Sequence, residues 1–358
     1  MKTMFDSVEL GQIKTNSRIV RSATYEMGGG KDGVITPLLK KIYFELTQGG
    51  VEVIITGMMG VGNNSRMEKN MIRINDDTFV ANFREVADTV HSLDGKLIVQ
   101  LGHCGIKSTF IDKGKHPYGP SDIEAVPGLP AKAMTKDEIK NLVLEYGIAA
   151  LKCKEAGADG VQLHSAHGYL ISQFLSPYFN KREDEYGDEI ENRARLLFEA
   201  YNEIRVNVGD KYPVWVKINY TDMVENGLSA DDSIWVCKEL EKRGLDVIEL
   251  SSGIAIDKHS RPSKFLKTQE DEGSYVEGAL RLSAKLEIPV ISTGGFRTPA
   301  IIENYLNQGN ITAIALCRPF ICEPGLLKRW RNGDLENPHC ISCNKCYLSK
   351  QHGCVQNQ

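Results

Sequence analysis

Residues 159–193, DGVQLHSAHGYLISQFLSPYFNKREDEYGDEIENR, hold the side chains of this chain best suited to chemistry. His164, His167 and Tyr169 follow directly on a short apolar stretch, DGVQL, that reads as the end of a buried strand. Imidazoles and a phenol can hold a polarised oxygen and pass a proton. An HxxH pair taken alone reads equally well as two satisfied histidines at a strand end, or as half of a metal site. The residues after Tyr169 carry many charges and no hydrophobic period, so the next helix is expected only near Glu189. An insertion of that kind at a strand end reads as a functional loop rather than a packing device.

The elements that must position these residues are legible as an alternation. Short apolar runs at 18–23, 51–56, 96–101, 159–164, 213–218, 245–250, 288–293 and 312–317 read as strands. Helical patterns separate them near 37–48, 78–92, 136–156, 190–208, 231–243, 275–286 and 298–308, with one more near 323–332. Near-continuous apolar strands alternating with helices imply a parallel sheet covered by helices. Eight such units predict an α/β fold, a closed (β/α)8 TIM barrel; a doubly wound open sheet is the competing arrangement. Composition changes near Asn332, so the expected division is a barrel at 1–332 and a cysteine-rich C-terminal tail at 333–358.

In such barrels the chemistry sits at the C-terminal ends of the strands. Those ends carry Ser22, Ala23 and Thr24, then Thr56, Gly57 and Met58, then Gln100 with His103, the His164/His167/Tyr169 group, Lys217, Ser251 to Gly253, Gly294 with Gly295, and Cys317 with Arg318. IPVISTGGFRTPAIIENYL reads as strand, glycine turn and helix, with Thr298 as N-cap and Pro299 in the first turn. Glycines there let backbone N–H groups approach an anion, and Arg318 offers a fork of donors suited to phosphate. On this pairing alone, phosphate-binding lyases and isomerases stay open.

The string HSAHGYLISQFLSPYFNKREDEYG followed by ENR resembles the Old Yellow Enzyme family of NAD(P)H:flavin oxidoreductases, nearest to its enoate reductase and 2,4-dienoyl-CoA reductase branch. The resemblance runs from residue 1 to about 332. It implies FMN as cofactor and NAD(P)H as co-substrate. It also implies ping-pong reduction of an activated C=C bond, of the enone or enoate type, or of a quinone-like acceptor. RIVRSATYE looks like the family's first strand, so Ser22, Ala23 and Thr24 are expected along FMN. Gly57 and Met58 resemble the second contact, Gln100 the residue on the pyrimidine edge, and Lys217 the cation near flavin N1 and O2. Gly294, Gly295, Cys317 and Arg318 complete the expected cofactor set. His164 and His167 are then expected to hold the substrate oxygen, with Tyr169 as proton donor. The chain departs from the family at Ala23, where Pro is common, at Tyr25, where Thr or Cys is usual, and at Ile106, where Arg is usual.

HCISCNKCYLSKQHGC spaces Cys340, Cys343, Cys346 and Cys354 as C-x2-C-x2-C-x7-C. That spacing resembles an iron–sulfur or zinc loop, with His339 or His352 available to zinc, and a relic that binds no metal stays open beside both. The dienoyl-CoA reductase branch carries a 4Fe–4S motif here, followed by a second flavin- and nicotinamide-binding portion that is not expected in this chain. A redox-sensing or electron-transfer module built on the tail is the non-enzyme alternative. A net charge of −4 speaks against nucleic acid or an anionic membrane as partner. With no apolar run of membrane length and no apolar signal core at the N-terminus, a cytoplasmic location is expected. The expected partner is a small-molecule electrophile; a homo-oligomer stays open.

Overall fold

The structure is a computed structural model of residues 1–358. It describes all of them except 63, 75–76, 112–114, 127, 263–264, 267, 349–352 and 358, together with the side chains of residues 32, 125, 126, 347 and 348. Eight parallel strands form the centre: β1 (Ile19–Arg21), β2 (Val53–Ile55), β3 (Lys96–Gly102), β4 (Gly160–Ser165), β5 (Val214–Asn219), β6 (Val247–Ser251), β7 (Val290–Ser292) and β8 (Ala313–Leu316). Each pairs with the next, and β8 returns to β1 through Ile314↔Ile19 and Leu316↔Arg21. The sheet therefore closes, and the (β/α)8 expectation holds over the doubly wound one.

Helices α1 (Pro37–Gln48), α2 (Asp77–His91), α3 (Lys136–Glu155), α4 (Arg195–Val208), α5 (Ala230–Lys242), α6 (Val276–Ser283), α7 (Pro299–Leu306) and α8 (Leu326–Arg331) cover the outside. Their starts follow local chemistry. Thr135 and Glu138 form a reciprocal capping box on α3, each side chain taking the other's backbone N–H. Ser229 accepts from the Asp232 N–H at the start of α5. None of the described helices is long and apolar enough to cross a membrane.

Strand parity divides the core in two. Ile54, Val99, Val161, Val216, Ile248 and Ile314 face outward into the helix layer. Val53, Ile98, Trp215, Val247, Ile291 and Ala313 face inward and fill the lower barrel. An N-terminal hairpin, Val8–Leu10 with Ile13–Thr15, plugs that end with Leu10 and Ile13. Above this apolar floor the inward positions turn polar: Gln100, Gln162, Lys217 and Glu249 are all buried.

The segment after Tyr169 differs from expectation. Leu170–Leu175 is a short helix, buried throughout. LISQFL is covered on every side, so it shows no amphipathic period to read. The charges that follow serve packing. Arg182 grips Asp184 with two nitrogens and also donates to the carbonyls of Pro120 and Met134. Arg193 donates to the Leu175 carbonyl and pairs with Asp232 at 3.0 Å. The expected helix at 190–208 breaks at Ala194, and that at 323–332 begins at Leu326, after a separate turn at Arg318–Cys322.

Candidate active site

A cavity of ≈ 300 Å³ opens at the C-terminal end of the barrel. Ser22, Ala23, Thr24, Met58, Gln100, His164, His167, Tyr169, Lys217, Gly294, Gly295, Cys317 and Arg318 all line it. Gly57 stands one layer back. Its N–H donates to the Glu26 carboxylate, and a Cβ there would meet Glu26 Oε2 at 2.1 Å, so packing accounts for this glycine.

The floor of the cavity is a polar relay. Gln100 Nε2 donates to Gln162 Oε1 (2.8 Å), and Gln162 Nε2 donates to Glu249 Oε2 (2.9 Å). The other Glu249 oxygen accepts from Ser22 Oγ (2.5 Å) and Lys217 Nζ (3.0 Å). Lys217 Nζ also donates to Ser22 Oγ at 2.9 Å. The Lys217–Glu249 pair is almost wholly shielded from solvent.

Above it the three residues singled out from the sequence meet. The His164 ring lies 5.1 Å from that of His167 and 4.9 Å from that of Tyr169, edge-on to both. Burial pushes the His164 imidazole well below its ordinary titration range, and the charges of Lys217 and Lys107 push it the same way. His167 is lowered likewise, by burial first, then by His164 and the same two lysines. Both are therefore neutral at physiological pH. His164 Nδ1 accepts the Ala166 N–H at 3.3 Å, which puts the His164 proton on Nε2. His167 Nε2 lies 2.8 Å from Ser251 Oγ.

His167 has a left-handed backbone, φ +63°, unusual for a residue other than glycine. Its N–H donates to Asn219 Oδ1 (3.2 Å) and its carbonyl accepts from Lys107 Nζ (2.9 Å). Asn219 is oriented in turn by buried Asp222, which accepts from its Nδ2 at 2.9 Å. Lys107 also donates to the Ile254 carbonyl and sits 5.5 Å from the Tyr169 ring centre. Burial lowers its pKa to about 8.

At the far end, Gly294 (φ +141°) and Gly295 (φ +83°) adopt conformations a side chain resists. Thr298 holds the N-cap position of α7, but its hydroxyl donates to Glu272 rather than capping the helix. The Glu272 carboxylate itself takes the N–H groups of Arg297 and Thr298. Arg318 Nη1 donates to the Ser342 carbonyl and to Asn344 Oδ1 (2.7 Å), so the cysteine-rich tail folds back over this end of the cavity.

The expected metal set on Cys340, Cys343, Cys346 and Cys354 does not assemble. Among the described residues no group of three or more His, Cys, Asp or Glu side chains is arranged to hold a metal ion. Cys354 lies beside Cys322, whose thiol is pushed up to about 12 by burial first and by Cys354 next. Cys340 and Cys346 are buried and Cys343 is half-buried. The tail is shaped by contacts to arginines, the Cys340 carbonyl accepting from Arg297. His352 lies outside the described residues.

Sequence reasoning missed Glu249, Gln162, Lys107 and Asn219. For Glu249 the signal was available: it shares inward parity with Val247 and Ser251, as Lys217 does with Trp215. Lys107 lies in an irregular excursion after β3, where no period marks the inward face.

Fold and site together define a TIM-barrel protein with a polar, lysine-floored cavity at its C-terminal mouth. The chain matches the NADH:flavin oxidoreductase / NADH oxidase family over residues 3–337, and it belongs to that family, the Old Yellow Enzyme family. It is 32% identical over 348 residues to an NADH oxidase of Thermoanaerobacter brockii, covering 95% of this chain and 52% of that protein. It is 28% identical over 387 residues to a cinnamate reductase of Clostridium sporogenes, covering 99% of this chain and 55% of that protein. The chain thus spans about half the length of these curated relatives. Among solved structures, the Old Yellow Enzyme homologue from Zymomonas mobilis superimposes with a TM-score of 0.78 at 24% identity, over 94% of both chains.

Proposed function

We propose that this chain is an FMN-dependent oxidoreductase that takes hydride from NAD(P)H and reduces an activated C=C bond of the enone or enoate type, or a quinone-like acceptor, in ping-pong turns. The observation that carries this reading is the meeting of His164, His167 and Tyr169 above a buried floor of Gln100 and Lys217 in one cavity. The cinnamate reductase relative supports an enoate-type acceptor. Within this reading residues 1–332 form the flavin barrel, and 333–358 form a tail that covers the phosphate end.

FMN, when bound, supplies the hydride carrier between nicotinamide and substrate. The residues present fit it. Thr24 Oγ1 is buried at the cavity with no hydrogen-bond partner. Ser22, Ala23, Thr24 and Met58 would line the ring, with Gln100 and Lys217 at its pyrimidine edge. Gly294, Gly295, Cys317 and Arg318 would take the phosphate.

The chain's own residues then handle oxygen and proton. Negative charge grows on the substrate oxygen as hydride reaches the β-carbon, and donors fixed at that oxygen lower the barrier. His164 presents Nε2–H. With Ser251 donating to Nε2, His167 presents Nδ1–H. Asn219 and Lys107 keep the strained His167 peptide in place, so neither donor has to be reorganised during the reaction. Tyr169 delivers the proton to the α-carbon, which with the hydride completes saturation of the C=C bond.

The test is direct. Purified protein should carry FMN, bleach anaerobically with NADH or NADPH, and regain colour with cinnamate, cyclohexenone or a quinone. Initial rates should give parallel double-reciprocal lines. A protein that takes up no FMN would overturn the reading, and intersecting lines would remove the ping-pong order.

A further inference from the structure

Gln162, Ser22 and Lys217 converge on one carboxylate, that of Glu249, which is wholly buried, and Gln100 reaches it through Gln162. We infer that Glu249 is a positioning residue that sets both the hydrogen-bond polarity of Gln100 and the effective charge of Lys217 at the cavity floor. The inference rests on the FMN reading above.

The polarity follows from what a carboxylate can do. Ionised, it only accepts, whereas the two ends of an amide are chemically opposite and can exchange places. Glu249 Oε2 therefore requires the NH2 end of Gln162, at 2.9 Å. That turns Gln162 Oε1 toward Gln100 and requires the NH2 end of Gln100 in its turn, at 2.8 Å. Gln100 is left to present its carbonyl oxygen to the cavity. Lys217 is fixed by the same group. Two of its three N–H bonds go to Glu249 Oε1 and Ser22 Oγ, leaving one for a ligand. The floor thus shows one acceptor beside one donor. That pair is complementary to an imide N–H next to a carbonyl, the pattern on the pyrimidine edge of a flavin.

A fixed cation at that edge favours the reduced, anionic ring over the oxidised one. A carboxylate 3.0 Å from the ammonium offsets much of this preference. Glu249 therefore holds the bound flavin at a lower reduction potential than Lys217 alone would set.

The experiment measures midpoint potentials of wild-type, Glu249→Gln and Glu249→Asp holoenzymes by anaerobic dye equilibration, with FMN dissociation constants alongside. Glu249→Gln should shift the ratio of reduced to oxidised flavin affinity by at least tenfold toward the reduced form, a rise of about 30 mV for a two-electron couple. Glu249→Asp keeps the charge and should stay within twofold of wild type in that ratio. Gln162→Met cuts the relay without touching the ion pair. It should weaken oxidised FMN binding about tenfold and move the potential less than Glu249→Gln does. Should Glu249→Gln fail to fold, Gln162→Met still decides, because unchanged FMN affinity in that variant overturns the relay. A Glu249→Gln protein that binds FMN at the wild-type potential overturns the charge role. Both results presuppose a wild-type protein that takes up FMN. If it does not, the parent reading is what has failed.

Discussion

Acid should destabilise this barrel through its two active-site imidazoles, and the size of the effect can be worked out. His164 is 4% exposed, and its Nδ1 already accepts the Ala166 N–H. Protonation would set a donor against that donor, close to the charges of Lys217 and Lys107. His167 is held well below the ordinary value of 6.5 by burial and the same charges. Above pH 6.5 the native and unfolded chains both leave these rings neutral, so they contribute no pH dependence. Below it the unfolded chain binds two protons that the native site refuses. Each contributes a slope of about 1.36 kcal/mol per pH unit, so the pair removes about 2.7 kcal/mol between pH 7.5 and pH 5.5. The assay is urea unfolding at both pH values, in the wild type and in a His164→Asn/His167→Asn double variant. Asparagine does not titrate, and the remaining histidines are common to both proteins. Going from pH 7.5 to 5.5 the wild type should lose about 2.7 kcal/mol more than the variant. An equal loss in the two proteins would show that the rings take up protons in the native state, and would undo their assignment as neutral donors.

Tyr169→Phe should leave flavin reduction by NAD(P)H nearly unchanged and slow reoxidation by an enone by about 10²–10⁴, the range of general-acid catalysis. Quinone reoxidation should suffer far less, because quinone oxygens take protons from water; stopped-flow traces of the two half-reactions check this, and equal enone rates would remove Tyr169 from the mechanism. Arg318→Ala should release FMN and also free the tail, since Arg318 holds Ser342 and Asn344. Asn344→Ala should loosen the tail to limited proteolysis with little loss of FMN, and full flavin occupancy in Arg318→Ala would sink the phosphate assignment.

Most of the barrel could be read from the chain because its two signals are local. Outward strand positions such as Val99, Val161 and Val216 pack on helices, while inward Ile98, Trp215 and Ile291 pack on one another. Both faces are apolar, so the strands appear as runs. Glycine and arginine at the ends of β7 and β8 were equally plain. What escaped was set by contacts distant in sequence. Glu249 meets Ser22 across 227 residues and Gln162 across 87. Lys107 acts on a carbonyl 60 residues away, from a loop without a period. LISQFL was missed for the opposite reason: full burial erased its helical period. Thr298 was recognised as the N-cap, but the partner of its hydroxyl, Glu272, lies 26 residues upstream and is not inferable from the turn itself.

The inward layers also say why the polar floor persists. Below it the barrel is closed by Leu10, Ile13, Trp215 and their neighbours, an apolar plug that suffices to join the strands. A buried ion pair adds little to such a core. Replacing one by apolar groups of similar volume is often neutral or stabilising, whereas removing one partner alone is costly. Lys217 and Glu249 therefore find no justification in stability. They lie directly under the cavity, and through Gln162 they fix the face that Gln100 turns to it. Every member of the layer has its hydrogen-bond partner, which rigidifies such a network and commits it to a single arrangement. Preorganised polarity of this kind acts only on a ligand resting upon it. That is why the buried charge of this barrel is best understood together with the histidine pair above it, as floor and roof of one site.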